Sequence, residues 1–116
     1  MVDTKKHKVY VYGTLRTGES EPVKIKGFKM FNMGWFPAVV RDESGEILVE
    51  CREADDSQLA AWDIYEGFDR FNPEQSFYRR EQFEDGWIYV FNDSVSGYNC
   101  VESGDWFTEK EEKMCA

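Results

Sequence analysis

The chain opens with an apolar stretch that ends abruptly at a glycine. Residues 9–12 read Val-Tyr-Val-Tyr, all β-branched or aromatic, and Gly13 follows directly. Such a run predicts a strand buried on both faces that turns at Gly13. The end of such a strand presents backbone N–H groups that no partner strand uses, and these can bind an anion or a developing oxyanion. The stretch is therefore either an ordinary core strand with a tight turn or the start of a binding loop.

The size of the chain predicts one folded domain. It has 116 residues, of which 41% are hydrophobic and 16% aromatic. This is enough for a substantial core and too apolar for a disordered acidic segment. We expect a single domain over residues 1–116, with its core at about 8–107 and a polar C-terminal tail.

Charge and cysteine usage exclude several classes of partner. The chain carries 23 acidic and 14 basic residues, a net charge of −9, which disfavours nucleic acid and anionic membranes. No apolar run reaches membrane-spanning length and residues 1–7 lack an apolar signal core, so we expect a cytoplasmic protein without membrane contact. One histidine and three widely spaced cysteines predict neither a metal site nor a disulfide framework, and we expect no cofactor.

Periodicity and turn residues predict about six strands and one helix. Residues 23–31 alternate as a half-buried strand with a bulge near Gly27, and 34–37 form a turn. Residues 38–40 and 46–52 predict two strands joined by a hairpin loop at 42–45. Residues 77–83 and 87–91 predict a second hairpin, which turns at Asp85-Gly86.

A helix over residues 58–66 lies between the two predicted hairpins. Capping side chains at 54–57 precede it, and Gly67 ends it. The order of the elements predicts an α+β fold: a small mixed, largely antiparallel β-barrel with one main helix.

Glu66 breaks the pattern of this helix. At about 100° per residue, its side chain falls between Leu59 and Trp62, on the face that must be buried. Burial and the C-terminal end of the helix dipole both disfavour a carboxylate there and should raise its pKa. Glu66 is therefore either a general acid/base or a rim residue that pairs with Arg70 or Arg79.

Three segments carry a resemblance to a known family. Residues 9–18, Val-Tyr-Val-Tyr-Gly-Thr-Leu-Arg-Thr-Gly, resemble the opening motif of the γ-glutamylcyclotransferase-like superfamily, which includes γ-glutamylaminecyclotransferase-type members. Residues 59–67 are similar to the family's helix that ends in Glu-Gly, and residues 77–80 with 87–90 look like its Tyr-x-Arg-Arg hairpin.

The resemblance implies a reaction and the residues for it. It implies release of 5-oxoproline from a small-molecule γ-glutamyl amine or peptide, without a metal or cofactor, and makes Glu66 the catalytic acid/base. It implies that the substrate binds at four residues: Tyr12, Gly13, Thr14 and Leu15.

Three further residues are weaker candidates for the pocket. Arg16 either orients a substrate carboxylate or is a solvated side chain beside a turn. Tyr78 and Tyr89 either line the pocket or belong to the core with a wet hydroxyl.

Two departures from the family pattern leave a second hypothesis open. The segment after Gly18 is shorter than is usual in the family, and Val49-Glu50 stands where a Gly-Glu pair is common. The alternative is a non-catalytic module that sequesters a small ligand in the same pocket. The sequence leaves the oligomeric state and the leaving amine open.

Overall fold

The computed structural model describes residues 6–13, 15–17 and 21–109. In this part of the chain, six strands and one main helix form an α+β fold, and this class is as predicted. The number of strands agrees only because the predicted strands at 38–40 and 46–52 are one strand and residues 99–100 form a strand that was not predicted. In chain order the elements are β1 (His7–Val11), β2 (Val23–Asn32), β3 (Pro37–Ala54), α1 (Asp56–Tyr65), β4 (Tyr78–Phe83), β5 (Gly86–Phe91) and β6 (Asn99–Cys100), with a short 3₁₀ turn at Pro73–Gln75.

The described residues divide into two compact units. The first contains residues 6–10 and 51–93, and the second contains residues 11–13, 15–17, 21–50 and 94–109. Strands β1 and β3 each contribute residues to both units.

The sheet of the first unit is mixed. Strands β4 and β5 pair antiparallel, and β1 pairs parallel with β5, with Val9 opposite Trp87. The hairpin turn lies one residue earlier than predicted, at Glu84 and Asp85, because Gly86 already pairs with Phe83. Glu84 adopts the left-handed conformation, with φ of 52°. A glycine is required at position 86 for another reason: a Cβ there would lie 2.4 Å from the carbonyl oxygen of Lys8.

The predicted burial of residues 9–12 is confirmed at three positions and fails at one. Val9, Val11 and Tyr12 are buried, whereas Tyr10 is half-buried, and Lys8 before the run is exposed. Polar contacts explain the difference, since Lys8 Nζ and the Tyr10 hydroxyl donate to Asp85 at 2.6 and 2.7 Å.

Helix α1 is confirmed, but it begins at Asp56, two residues before the predicted start, and ends at Tyr65 with Glu66 as its C-cap. Asp55 is the N-cap, and it exchanges hydrogen bonds with Gln58 as a capping box. At the other end Gly67 has a φ of 71°, which favours glycine. Leu59 is the buried apolar anchor of the helix.

The second unit contains an antiparallel β2–β3 pair with β6 on the far side of β2. The predicted bulge is confirmed: the register shifts between Lys26 and Phe28, and Gly27 has a φ of 95°. Residues 106–109 are helical, and Trp106 is buried.

The predicted hairpin at residues 42–45 is wrong, because β3 continues through them. Strand β2 pairs with residues 37–41 and with residues 46–49 in the same antiparallel direction, so the chain does not reverse. Residues 42–45 are instead extra residues opposite the Gly27 bulge, and Ser44 N–H donates to Asp42 Oδ1 at 2.9 Å. Within the described residues, no helix is both long and apolar enough to cross a membrane.

Candidate functional site

Glu66 closes the C-terminal end of α1 in the first unit. Its backbone N–H donates to Trp62, and the next two N–H groups, of Gly67 and Phe68, donate back to Ile64 and Asp63. The hydrogen bonds from Gly67 and Phe68 form a Schellman motif, which fixes the backbone on both sides of Glu66. The glutamate is therefore held at a rigid position although no regular element follows it.

The carboxyl group of Glu66 has a strongly altered acidity. The side chain is half-buried, and burial raises its pKa from 4.5 to about 7. A carboxyl group with this pKa exchanges protons near neutral pH, which is what a general acid/base requires. The prediction of a raised pKa is supported, with burial as its cause.

Two tyrosines accompany Glu66 in the same unit. Tyr78 and Tyr89 are buried, and burial raises the pKa of both phenols far above the ordinary range. The charge of Glu66 adds to the shift at each phenol, so both rings lie within its electrostatic reach. Both tyrosines remain neutral over the working pH range.

A polar cluster on α1 anchors the helix next to Glu66. The Tyr89 hydroxyl donates to Asp63 Oδ1 at 2.7 Å, and Arg80 Nε lies 2.8 Å from the same oxygen as an ion pair. The Arg80 guanidinium also lies 4.4 Å from the centroid of the Trp87 ring. Asp63 was missed at the sequence level, although it lies one turn after Leu59 on the same helix face as Glu66.

The predicted binding residues lie in the second unit. The chain bends at Gly13, as predicted, and Arg16 N–H donates to the Gly13 carbonyl at 2.9 Å to close a turn. Tyr12 is buried and Leu15 is half-buried. Thr14, the fourth predicted binding residue, lies outside the described residues.

Arg16 is a buried member of an ion-pair network. Its side chain is only 4% exposed, so the interpretation as a solvated arginine is wrong. Nε donates to Glu50 and Nη1 to Asp105, both at 2.8 Å. Two of its nitrogens are thus bound by protein carboxylates, and a role in holding a substrate carboxylate remains a prediction.

The sequence analysis named Glu50 only beside Val49, as a departure from the family pattern, and did not single out Asp105. Glu50 ends the apolar run Ile47-Leu48-Val49, and a charge at that point of a strand was a usable signal. Asp105 offered none, because its partner is far away in the sequence.

The predicted site residues thus fall into two groups. Glu66, Tyr78 and Tyr89 lie together in the first unit, and Tyr12, Gly13, Leu15 and Arg16 lie in the second. Among residues 6–13, 15–17 and 21–109, no three His, Cys, Asp or Glu side chains are placed to hold a metal ion.

Solved structures show the same fold. The uncharacterized protein PH0828 from Pyrococcus horikoshii aligns with a TM-score of 0.69 and 19% identity, covering 94% of this chain and 97% of that protein. The solution structure of protein ytfP from Escherichia coli aligns with a TM-score of 0.64 and 24% identity, covering 89% of this chain and 98% of that protein. The α+β class with a mixed sheet and one main helix is thereby confirmed.

The sequence itself carries the family relationship. The chain belongs to the family described as gamma-glutamyl cyclotransferase, AIG2-like, whose model matches residues 9–108. A Vibrio cholerae protein named "Putative gamma-glutamylcyclotransferase" is 29% identical over 119 residues, covering 86% of this chain and 95% of that protein. A second relative, "Gamma-glutamylcyclotransferase family protein ytfP" of Citrobacter rodentium, is 24% identical over 114 residues.

Proposed function

We propose that this protein is a γ-glutamylcyclotransferase that converts a γ-glutamyl amine or peptide into 5-oxoproline and a free amine. The observation that carries the proposal is the half-buried carboxyl group of Glu66, whose pKa of about 7 suits proton transfer at neutral pH. Membership of the family and the name of the Vibrio cholerae relative support the same reaction class.

The reaction needs one proton carrier. The α-amine of the substrate attacks its own γ-carbonyl carbon, the bond from that carbon to the leaving nitrogen breaks, and a five-membered lactam forms. Glu66, as carboxylate, takes one proton from the α-ammonium and returns it to the leaving nitrogen as the bond to that nitrogen breaks. The attacking nitrogen loses its second proton as the lactam forms, and this proton leaves with the product amine, which departs as an ammonium ion. No electron transfer occurs, and because the attack is intramolecular, the bound geometry supplies the proximity that makes it fast.

The surroundings of Glu66 suit this role. Tyr78 and Tyr89 stay neutral because their pKa values are raised by burial, so they add no negative charge beside the carboxylate. The Schellman motif after α1 holds the backbone of Glu66 in one conformation. The carboxyl group is therefore attached to a fixed point of the main chain.

The loop after β1 is assigned to substrate binding in this proposal. Tyr12, Gly13, Thr14 and Leu15 match the family's opening motif, and backbone N–H groups in such a loop would bind the substrate carboxylate or the oxyanion of the γ-carbonyl. The donors would act where negative charge develops, which is where they accelerate the reaction most.

The experiment compares wild type, Glu66→Gln and a control. Each protein is incubated with γ-glutamyl amines, γ-glutamyl peptides and γ-glutamyl-ε-lysine, and 5-oxoproline is measured by mass spectrometry. We expect release by wild type and a loss of several orders of magnitude in Glu66→Gln, because glutamine cannot carry the proton. Glu74→Gln is the matched control, since its side chain is exposed in the same unit.

Two outcomes contradict the proposal. Equal release by wild type and Glu66→Gln removes Glu66 from the chemistry. The second outcome is that wild type releases no 5-oxoproline from any substrate and that both proteins retain a small ligand equally. The protein would then be a non-catalytic module that sequesters a small ligand.

A further inference from the structure

A buried ion-pair network holds the loop that follows β1. Glu50 is completely buried, and the Arg16 side chain is 4% exposed. All residues of the network belong to the second unit. Burying such charges costs free energy, and a buried ion pair seldom stabilises a fold more than apolar residues of the same size would.

Glu50 binds the loop through both carboxylate oxygens. Oε2 accepts from Arg16 Nε at 2.8 Å, and Oε1 accepts from the Thr17 backbone N–H at 3.1 Å and the Thr17 hydroxyl at 3.2 Å. One strand residue therefore fixes two consecutive loop residues, including a backbone amide.

Asp105 holds Arg16 from a second direction. Its Oδ1 accepts from Arg16 Nη1 at 2.8 Å, and the carboxylate is itself held by the Phe107 N–H at 3.0 Å and the Thr108 hydroxyl at 2.8 Å. The Phe107 ring lies 4.0 Å from the guanidinium carbon of Arg16. The guanidinium is thus fixed by two carboxylates and an aromatic ring, which leaves it one orientation.

The network reaches the candidate binding residues through a short turn. Arg16 N–H donates to the Gly13 carbonyl at 2.9 Å, so the residue whose side chain Glu50 and Asp105 hold also closes the turn that begins at Gly13. A Cβ on Gly13 would lie 3.0 Å from Pro37 Cγ, so the first residue of the turn packs closely against the start of β3. The turn is therefore held both at Gly13 and at Arg16.

We propose that Glu50 and Asp105 are positioning residues that hold the substrate-binding loop through Arg16 and Thr17. This inference rests on the proposed function, which assigns the backbone of this loop to the γ-glutamyl group. The network holds Arg16 and the Thr17 backbone, and through the Arg16–Gly13 hydrogen bond the start of the turn, before substrate arrives. Less of the binding energy of the substrate is then needed to order the loop.

The experiment compares Glu50→Gln with Glu46→Gln. Glutamine keeps the shape of residue 50 but replaces one of the two acceptor oxygens with a donor. We expect kcat to fall about 10- to 100-fold, because a small displacement of binding groups has effects of this size, while KM changes less. Glu46 lies on the same strand in an exposed pair with Lys24 at 3.7 Å, and its substitution should leave both constants unchanged.

Hydrogen exchange of the loop amides supplies a readout independent of turnover. In Glu50→Gln the Thr17 amide should exchange at least tenfold faster than in wild type, while amides of the β2–β3 pair stay protected. If wild type releases no 5-oxoproline, the proposed function fails, and this exchange measurement alone decides whether Glu50 holds the loop.

A double variant covers the case in which Glu50→Gln does not fold. Arg16→Gln with Glu50→Gln removes both charges of the buried Arg16–Glu50 pair. Asp105, whose side chain is 19% exposed, loses Arg16 but keeps its hydrogen bonds from the Phe107 N–H and the Thr108 hydroxyl, so the variant should fold. Its kcat should stay low, because the loop has lost its side-chain anchor. Wild-type kcat in a folded double variant, or unchanged Thr17 exchange in Glu50→Gln, overturns the proposal.

Discussion

At the scale of single residues, the main feature is a carboxyl group whose acidity the fold has changed. Glu66 is half-buried, and burial raises its pKa to about 7. In the unfolded chain the same group ionises near 4.5. The difference links the stability of the protein, and the proposed activity, to pH.

The first prediction concerns stability. Below about pH 4.5 Glu66 is protonated in both states and costs nothing, and between 4.5 and 7 only the unfolded chain releases the proton. The free energy of unfolding therefore falls through this group as pH rises from about 4.5, and the loss is complete above about 7. We expect Glu66→Gln to be about 2–3 kcal/mol more stable than wild type near pH 9 and nearly equal near pH 4.5.

Urea unfolding of both proteins at the two pH values measures this difference. Glu74→Gln at the same pH values shows how much follows from removing any one negative charge. A stability difference between wild type and Glu66→Gln that is the same at both pH values contradicts the prediction.

The second prediction concerns the rate of the proposed reaction. Glu66 must be ionised to accept the ammonium proton, so kcat/KM should rise about tenfold per pH unit below 7 and level off above it. A pH profile of 5-oxoproline release by wild type measures this. A profile that is flat between about pH 5 and pH 8 assigns the proton transfer to another group.

At the scale of elements, the close approach of two strands explains why residue 86 is a glycine. Turn geometry does not, because Gly86 already belongs to β5. A Cβ at Gly86 would lie 2.4 Å from the carbonyl oxygen and 2.8 Å from the Cβ of Lys8. Strand β5 and strand β1 can approach each other only because residue 86 has no side chain.

The third prediction follows from this contact. Gly86→Ala should destabilise the protein by roughly 2–3 kcal/mol, because β1 or β5 must shift to make room. Gly97→Ala is the control: its Cβ meets nothing within 4 Å, and its φ of 86° leaves only backbone strain, which costs about 1 kcal/mol. The unfolding free energies in urea measure both, and a Gly86→Ala protein no less stable than Gly97→Ala disproves the steric argument.

The sequence predicts those elements whose signals are local. The caps of α1 and the bulge at Gly27 depend on neighbouring residues, and both were predicted correctly. Glu66 could be singled out because helical periodicity alone places it on the buried face.

The predictions failed at residues 42–45 and at Arg16, where contacts between residues distant in the sequence determine the structure. Asp42 to Gly45 carries turn residues, but pairing with β2 on both sides keeps β3 continuous. Arg16 is charged and follows a turn, which is typical of a solvated residue. Its partners Glu50 and Asp105 lie 34 and 89 positions away in the sequence. No local pattern contains those partners.

At the scale of the whole molecule, the pairing of β1 with β5 has a consequence for how the chain folds. Val9, near the start of the sequence, pairs with Trp87, so the first unit joins segments from both sides of residues 11–50. During synthesis, β1 can pair with β5 only after residues 86–91 have left the ribosome. Closing such a long loop costs entropy before any contact rewards it, so folding of the first unit is expected to be a late and comparatively slow event.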